Sequence, residues 1–429
     1  MHSHKITILI PTKDRKLFLY HTLKTCLNQA YENYMVVVLD DDSSDGSVEM
    51  IEELIKKHNK LKLVKNVKNV GMMDNFENAL DEVDSGYVIF LGGDDALMPN
   101  ALIDLNNLIN QTNAELITWP HHTFFYPGTK MKSGQIIINR KSLINKNEYE
   151  WIKGEDYLYS QANKLFYVSD EKSPMIYVKG IASVKVINEI KSKSPNNRFY
   201  QCSTPDGYSG FVLAGHLKKY LFCKQPYTIH GVCNNSQGLN YVKKGRKALK
   251  TSETFFKKMK DVKMNEELGS VPYSPLITLM TADFIYTTNK INSKRITINP
   301  KSIIEKSLSE LQDGLYGDEK IKRELKIISD FSKYVSLHDY FIKQLQIKKR
   351  NKRFTFEGNG FSPRLIYINA SDLDIDNVYE ASYFIKHYLK FKNSFNLIIF
   401  LKAFINSLKY KLSSFRKGER LMNYYVDSN

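Results

Sequence analysis

The first hundred residues alternate between continuous apolar runs and amphipathic stretches. "KITILI" (5–10) is an unbroken β-branched run, and "KLFLYHTLKTCLNQA" (16–30) repeats its apolar positions at helical spacing. The alternation continues through "YMVVVLD" (34–40), "SVEMIEELIKKH" (47–58), "LKLVKN" (61–66), "NFENALDEV" (75–83) and "GYVIFLGG" (86–93). Uninterrupted apolar runs of this length read as strands covered on both faces, and the intervening patterns as the covering helices. The chain therefore predicts a mostly parallel α/β sheet. In such sheets ligands collect at the carboxyl ends of the strands. Three polar clusters sit there: "PTKDR" (11–15), "DDDSSDGS" (40–47) and "GGDDALMP" (92–99).

Beyond residue 100 the pattern loosens. A strand is expected in "AELITWP" (114–120), with turns at "FYPGTK" and "DEKSP". A further α/β stretch, "SPMIYVKGIASVKVINEI", leads into "TPDGYSGFVLAGHLKKYLFCKQPYTIHGVCNNSQG". This reads as the second half of the same domain, carrying groups for an acceptor. A composition shift at "YVKKGRKALK" then places a boundary, giving residues 1–245 as one domain and 246–429 as a basic, mainly helical region. Its helical patterns include "SETFFKKMKDV", "PKSIIEKSLSELQ" and "DEKIKRELKIISDFSKYVSLHDYFIKQLQIKKRNKR". "FEGNGFSPRLIYINASDLD" reads as a break before a last helical stretch.

Charge sharpens this picture more than the other compositional features do. The 429-residue chain carries a formal net charge of +16, which favours anionic partners. No nucleic-acid-binding motif accompanies it. The clusters "KKGRKALK", "KKRNKR" and "KYKLSSFRKGER", interleaved with aromatic and aliphatic residues, suit peripheral contact with an anionic membrane. They would equally serve oligomer or acceptor contact. The four cysteines (Cys26, Cys202, Cys223, Cys233) lack metal-ligand spacing and read as reduced thiols. The apolar part of "MHSHKITILIPT" is too short for a signal peptide, and "FNLIIFLKAFINSL" is interrupted by Lys402. The expected location is cytoplasmic, at the inner face of the membrane where the basic region makes contact.

The clearest chemical signal is Asp94 beside Asp95 at the end of an apolar strand. Two adjacent carboxylates repel each other, and burial adds a desolvation cost. A divalent cation, Mn²⁺ or Mg²⁺, relieves both, since hard cations are held by one or two carboxylates plus substrate phosphates. The acids of "DDDSSDGS" explain a helix cap, but one cap does not need three of them.

Taken together, "ITILIPTKDR … LNQAYENYMVVVLDDDSSDGS … NVGMMDNFENALDEVDSGYVIFLGGDDALMP" resembles the nucleotide-sugar-binding half of family 2 glycosyltransferases. The resemblance implies a GT-A fold and an inverting transfer of a sugar from a nucleotide-diphosphate donor, with UDP-sugars foremost. The acceptor would be a hydroxyl of a cell-surface glycan or a lipid-linked molecule. By position, Pro11, Thr12 and Asp14 fall at the family's first strand end. Asp41 falls where the uracil-type base is contacted, and Asn69 and Gly71 near ribose and phosphates. Asp94 and Asp95 match the last two acids of the metal motif, and Gly93 and Asp94 also count among the nucleotide-sugar-binding positions. His230, whose imidazole can bind metals of the Mn type, is a candidate ligand of the metal or the diphosphate. Two departures stand out: Lys13 and Asp14 replace an aromatic and Asn, and Gly92 replaces the first motif Asp. For the general base, Asp206 precedes an apolar helix and a strand as the family's base does, with Asp156 in "KGEDYLYSQA" as runner-up. A catalytically inactive nucleotide-sugar-binding or scaffold protein of a glycan assembly is the alternative reading.

Overall fold

A computed structural model describes residues 2–129, 133–140, 148–234, 262–312, 316–351, 358–362, 364–390 and 417–425. "SETFFKKMKDV" (all but its last residue), "YVKKGRKALK", "FNLIIFLKAFINSL" and most of the three basic clusters lie outside these residues. Among the described residues, no helix is long and apolar enough to cross a membrane.

The predicted alternation folds as expected. Strands β1 (Ile6–Thr12), β2 (Tyr34–Asp40), β3 (Leu61–Lys65) and β4 (Tyr87–Phe90) are separated by helices α1 (Lys16–Leu27), α2 (Ser47–Ile55) and α3 (Met72–Asp81). β1 pairs in parallel with both β2 and β4, and β2 with β3. All four residues of β4 are buried, as are six of the seven in β1, which is why these runs carry no polar alternation. β1 runs two residues further than "KITILI", so Pro11 and Thr12 are its last two residues, opposite Leu39 and Asp40.

The sheet then becomes mixed. Its eight strands lie in the order β3-β2-β1-β4-β10-β6-β11-β9. The later members are β6 (Leu116–Thr118), β9 (Tyr149–Lys153), β10 (Gly180–Ser183) and β11 (Lys219–Cys223). β10 is antiparallel to β4 and to β6, β11 is parallel to β6, and β9 is antiparallel to β11. Hence β4, β6 and β11 point the same way and β9 points the opposite way.

A second sheet of six strands, β14-β15-β8-β7-β12-β5, brings together β5 (Ala96–Leu97), β7 (His122–Phe125), β8 (Gln135–Asn139), β12 (Thr228–Val232), β14 (Gly360–Phe361) and β15 (Leu365–Asn369). Its strands β7 and β12 pair in parallel, with His230 opposite Thr123. β5 pairs with β12 through Ala96 and Ile229, which brings the stretch after Asp94 and Asp95 against the segment carrying His230.

The chain forms two compact units that do not follow one cut near residue 245. One holds Met1–Tyr157, Glu171–Cys233 and the described part of Glu357–Ser407; the other holds Leu158–Asp170 and the described parts of Asn234–Phe356 and Leu408–Asn429. The stretch read as a break between helices contains β15, which pairs residue for residue with β8 from Leu365↔Asn139 to Asn369↔Gln135. Backbone pairing, not composition, assigns it to the first unit. The second unit is mainly helical, as expected. Helices Ile277–Asn292, Pro300–Gln312, Asp318–Tyr334 and His338–Ile347 make up about half of its described residues, together with a short pairing of β13 (Lys349–Asn351) with β16 (Lys417–Arg420). Its buried Glu310 accepts hydrogen bonds from the Ile277 and Thr278 amides, closing the start of the first of these helices.

Candidate active site

Two carboxylate clusters form at neighbouring strand ends. At the end of β2, Asp41 is buried and all of its acceptor capacity is taken up by the chain. Oδ1 accepts from the Val70 amide at 2.7 Å and the Asn66 amide nitrogen at 3.1 Å; Oδ2 accepts from Asn69 Nδ2 at 2.7 Å and the Gly71 amide at 3.1 Å. Asp41 thus folds the Asn69–Gly71 loop around itself. The other acids of "DDDSSDGS" divide the local work. Asp45 accepts from the backbone amide and hydroxyl of Ser47 at the start of α2, whose N-cap position is Gly46, not one of the acids. Asp40 accepts from the Ser43 amide through Oδ1, while its buried Oδ2 has no partner among the described residues.

The departures in "PTKDR" are part of the same loop packing. Lys13 donates to the Asp41 and Asp42 carbonyls, at 3.1 and 2.6 Å. Asp14, in the left-handed region at φ 51°, accepts from the Ser44 amide at 2.7 Å. Thr12 Oγ1 is buried and unpartnered among the described residues, directly beneath Gly93, whose missing Cβ would lie 3.2 Å from it.

At the end of β4 the carboxylates face cations. Arg15 Nη1 lies 2.9 Å from Asp94 Oδ2, with the two side chains 18% and 6% exposed. Burial penalises the Arg15 guanidinium, but Asp94, Cys233, Tyr177 and Asp95 together outweigh it and Arg15 stays protonated. Asp95 is fully buried. Its Oδ2 accepts from the Gly92 amide at 2.6 Å, and its Oδ1 from the Gly231 amide at 2.8 Å and lies 3.1 Å from His230 Nδ1. Burial lowers the His230 pKa, yet the hydrogen bond and charge of Asp95, with Asp94 and Asp206 behind it, raise it above the ordinary histidine value. The His230 side chain is still 39% exposed while these groups surround it. His121 packs edge-on against it, ring centroids 5.5 Å apart, and burial keeps that second imidazole neutral.

Asp206 completes the group. It stands in the first turn of the helix Pro205–His216, which leads back to the start of β11, so its N-terminus faces the carboxyl edge of the sheet. Its Oδ1 is buried without a partner among the described residues, and burial raises its pKa above the ordinary carboxylate range. Its charge is felt by His230 and Tyr177, both of which also feel Asp94 and Asp95. Asp156 is placed differently. It is exposed, just after β9, whose antiparallel course delivers it to the opposite edge of the sheet.

Sequence reasoning missed three residues here. A Cβ on Gly92 would lie 2.4 Å from the Tyr177 hydroxyl, so an acid at position 92 would collide with Tyr177. A Cβ on Gly231 would fall 1.6 Å from the Asp94 carbonyl oxygen. The third is Arg15, whose partner Asp94 is 79 positions away. His230, expected at a strand end, lies instead in the middle of β12, and the contact of its neighbour Gly231 with Asp94 left no mark in the sequence.

The donor types suit a hard divalent cation. Asp94 offers carboxylate oxygen, and His230 carries its Nδ1 on a carboxylate, the arrangement that aims the other ring nitrogen at a metal. Asp95 is spent on that orientation. Among the described residues no cluster of three or more His, Cys, Asp or Glu could hold an ion alone, so substrate oxygens would have to complete the shell. All four cysteines are buried, and none is in a disulfide.

The glycosyl transferase family 2 model matches residues 7–172. An uncharacterized glycosyltransferase of Haemophilus influenzae is 26% identical over 180 residues, 37% of this chain and 71% of that protein. The GalNAc(5)-diNAcBac-PP-undecaprenol beta-1,3-glucosyltransferase of Campylobacter jejuni is 32% identical over 114 residues, 26% of this chain but only 37% of that protein. The crystal structure of S. aureus TarS 1-349 aligns over 82% of this chain and 94% of its own, at 14% identity and a TM-score of 0.40. Over residues 7–172 the chain is thus similar to glycosyl transferase family 2, and the relatives that part of it matches are named glycosyltransferases.

Proposed function

We propose that the chain moves a hexosyl or N-acetylhexosaminyl group from a UDP-sugar to a hydroxyl of a cell-surface glycan or lipid-linked acceptor, with inversion. The observation that carries this reading is Asp206. Its unpartnered carboxylate oxygen stands within electrostatic reach of His230, beside the acids expected to face a diphosphate.

In this reading the nucleoside lies along the wall formed by Pro11, Thr12, Asp14, Asp41, Asn69 and Gly71, with Gly93 permitting close approach above Thr12. Asp94 and His230 would hold Mn²⁺ or Mg²⁺, which supplies charge neutralisation for the departing diphosphate. Arg15 adds a second positive charge on the same side. Asp206 takes the proton of the acceptor hydroxyl as it attacks the anomeric carbon. Its raised pKa makes it a stronger base than a solvated aspartate. Asp95 fixes the His230 ring, and the burial around Asp206 keeps water from competing for the base.

The test is transfer or hydrolysis of an isotopically labelled UDP-sugar by the full chain and by Asp206→Asn. General-base help is worth roughly 10²–10⁴-fold, so Asp206→Asn should lose that much in kcat while UDP binding stays within about threefold. Equal turnover by both proteins would remove Asp206 from the reaction. Donor binding without turnover in the wild type, with every acceptor class tried, would favour the scaffold alternative.

A further inference from the structure

Arg15 and Asp94 hold each other where a diphosphate and a cation are expected to meet. Arg15 occupies the N-cap position of α1, directly after the β1 end, and its side chain crosses to the end of β4. Besides Asp94, Nη1 donates to Cys233 Sγ at 3.3 Å. The side chain passes over Gly93, where a Cβ would meet Arg15 Cβ and Cδ in ordinary contact at 3.4 Å. The Tyr177 hydroxyl fills the space in front of Gly92, so no second acid stands at position 92 to share the load. Asp94 is therefore the one motif carboxylate not spent on Asp95's orienting bonds, and it carries a guanidinium.

We propose that Arg15 is an internal counter-ion that closes Asp94 to divalent cations until a diphosphate arrives, so that metal and nucleotide load together. The inference rests on the donor-site reading above. A guanidinium binds phosphate as well as it binds carboxylate, through the same planar donors. A diphosphate offers it more negative charge than Asp94 does, so Arg15 transfers to the phosphates and Asp94 is released to the cation. Without a diphosphate, the same cation would have to strip a partly buried arginine of its counter-charge, which is costly. Cation and nucleotide thus raise each other's affinity by one and the same factor. Arg15 acts here as a positioning residue.

The experiment titrates Mn²⁺ into the full-length protein and reads free Mn²⁺ by electron paramagnetic resonance, with and without saturating UDP. Couplings of this kind run from about 5- to 150-fold. The wild type is expected near the upper end, about 100-fold tighter for Mn²⁺ with UDP. In Arg15→Gln, Mn²⁺ alone should bind about tenfold more tightly than to wild type, and the coupling should fall below about tenfold. Arg15→Lys, which keeps the charge but not the planar fork, should fall between them. Wild-type binding of Mn²⁺ that is indifferent to UDP would overturn the inference, and this arm needs no variant to fold. So would an Arg15→Gln protein, shown folded by circular dichroism, whose Mn²⁺ affinity without UDP equals that of wild type. If the wild type binds UDP with Mn²⁺ and either of these results is found, the donor site stands and only the role of Arg15 falls. Failure to bind UDP at any Mn²⁺ concentration removes both.

Discussion

The ends of β2 and β4 are neighbouring places in one sheet edge, yet they hold their carboxylates by opposite means. Asp41 is bound by neutral donors: two backbone amides and two asparagine side chains, all from the loop that follows β3. Asp94 is bound by a cation, and Asp95 by backbone amides and an imidazole that Asp95 itself encourages to protonate. Neutral amides in a folded loop cannot leave without unfolding it. A guanidinium on a side chain can exchange one anion for another. The first cluster is built as a fixed wall and the second as an exchangeable site, although the two sequences, "LDDDSS" and "GGDDAL", look alike in their acids.

The comparison breaks most visibly at position 231. Gly231→Ala places a methyl group on the Asp94 carbonyl. It should abolish transferase activity and lower stability by at least the ~1–3 kcal/mol of an overpacked core, read by thermal unfolding. The Asp41 loop, built on other strands, should keep its amide protection from hydrogen exchange.

Next come the two acids themselves. Asp94→Asn leaves Arg15 without its counter-charge, and breaking a buried pair in this way costs about 3–5 kcal/mol before solvent relaxation. Because Arg15 retains some exposure, a loss nearer the lower figure is expected in chemical denaturation, with Mn²⁺ and UDP binding lost together. Asp41→Asn turns one acceptor into a donor facing backbone amides, at roughly 1–3 kcal/mol. It should loosen residues 66–71 and weaken UDP while sparing Mn²⁺ binding at Asp94. If both variants lose metal binding equally, the distinction between wall and exchangeable site is wrong.

Position 92 gives a sharper and counter-intuitive case. Restoring the family acid with Gly92→Asp should not improve metal binding, because the Tyr177 hydroxyl stands 2.4 Å from the new Cβ. A fall in unfolding midpoint of about 1–2 °C is expected for each kcal/mol of strain in a protein this size. Combined with Tyr177→Ala the loss should be smaller than the two singles added, since they share one space.

The smallest effect concerns pH. Burial raises the Asp206 pKa, and the base must be ionised to act. The acidic limb of the kcat profile should therefore lie above the ~4 of a free aspartate, activity falling as pH drops through it. For stability the sign is reversed. A carboxyl whose folded pKa is raised favours the folded state at low pH, and that contribution is lost as pH rises through the raised value. Asp206→Asn should thus gain slightly on wild type above that pH and not below it.

How much of this was legible in the sequence follows from what is local. β1, β2 and β4 are continuous apolar runs, and their ends are marked by glycines, acids and proline, so the sheet edge and its acids were readable. The helix whose first turn holds Asp206, and the strand after it, are local patterns too. The second sheet was not readable. β15, "LIYIN", pairs with β8 more than two hundred residues earlier, and no local signal names that partner. Arg15, Tyr177 and Gly231 escaped for the same reason. Each matters through a contact with Gly92, Asp94 or Asp95 that only the folded chain creates. Their residue types are ordinary, and their spacing fits no motif.

The most direct measurement is calorimetric binding of UDP, GDP, CDP and dTDP to the full chain, each with Mn²⁺ and with chelator. UDP is expected to bind with Mn²⁺, and chelator to remove most of that affinity. No binding of any nucleotide, with or without metal, would contradict this.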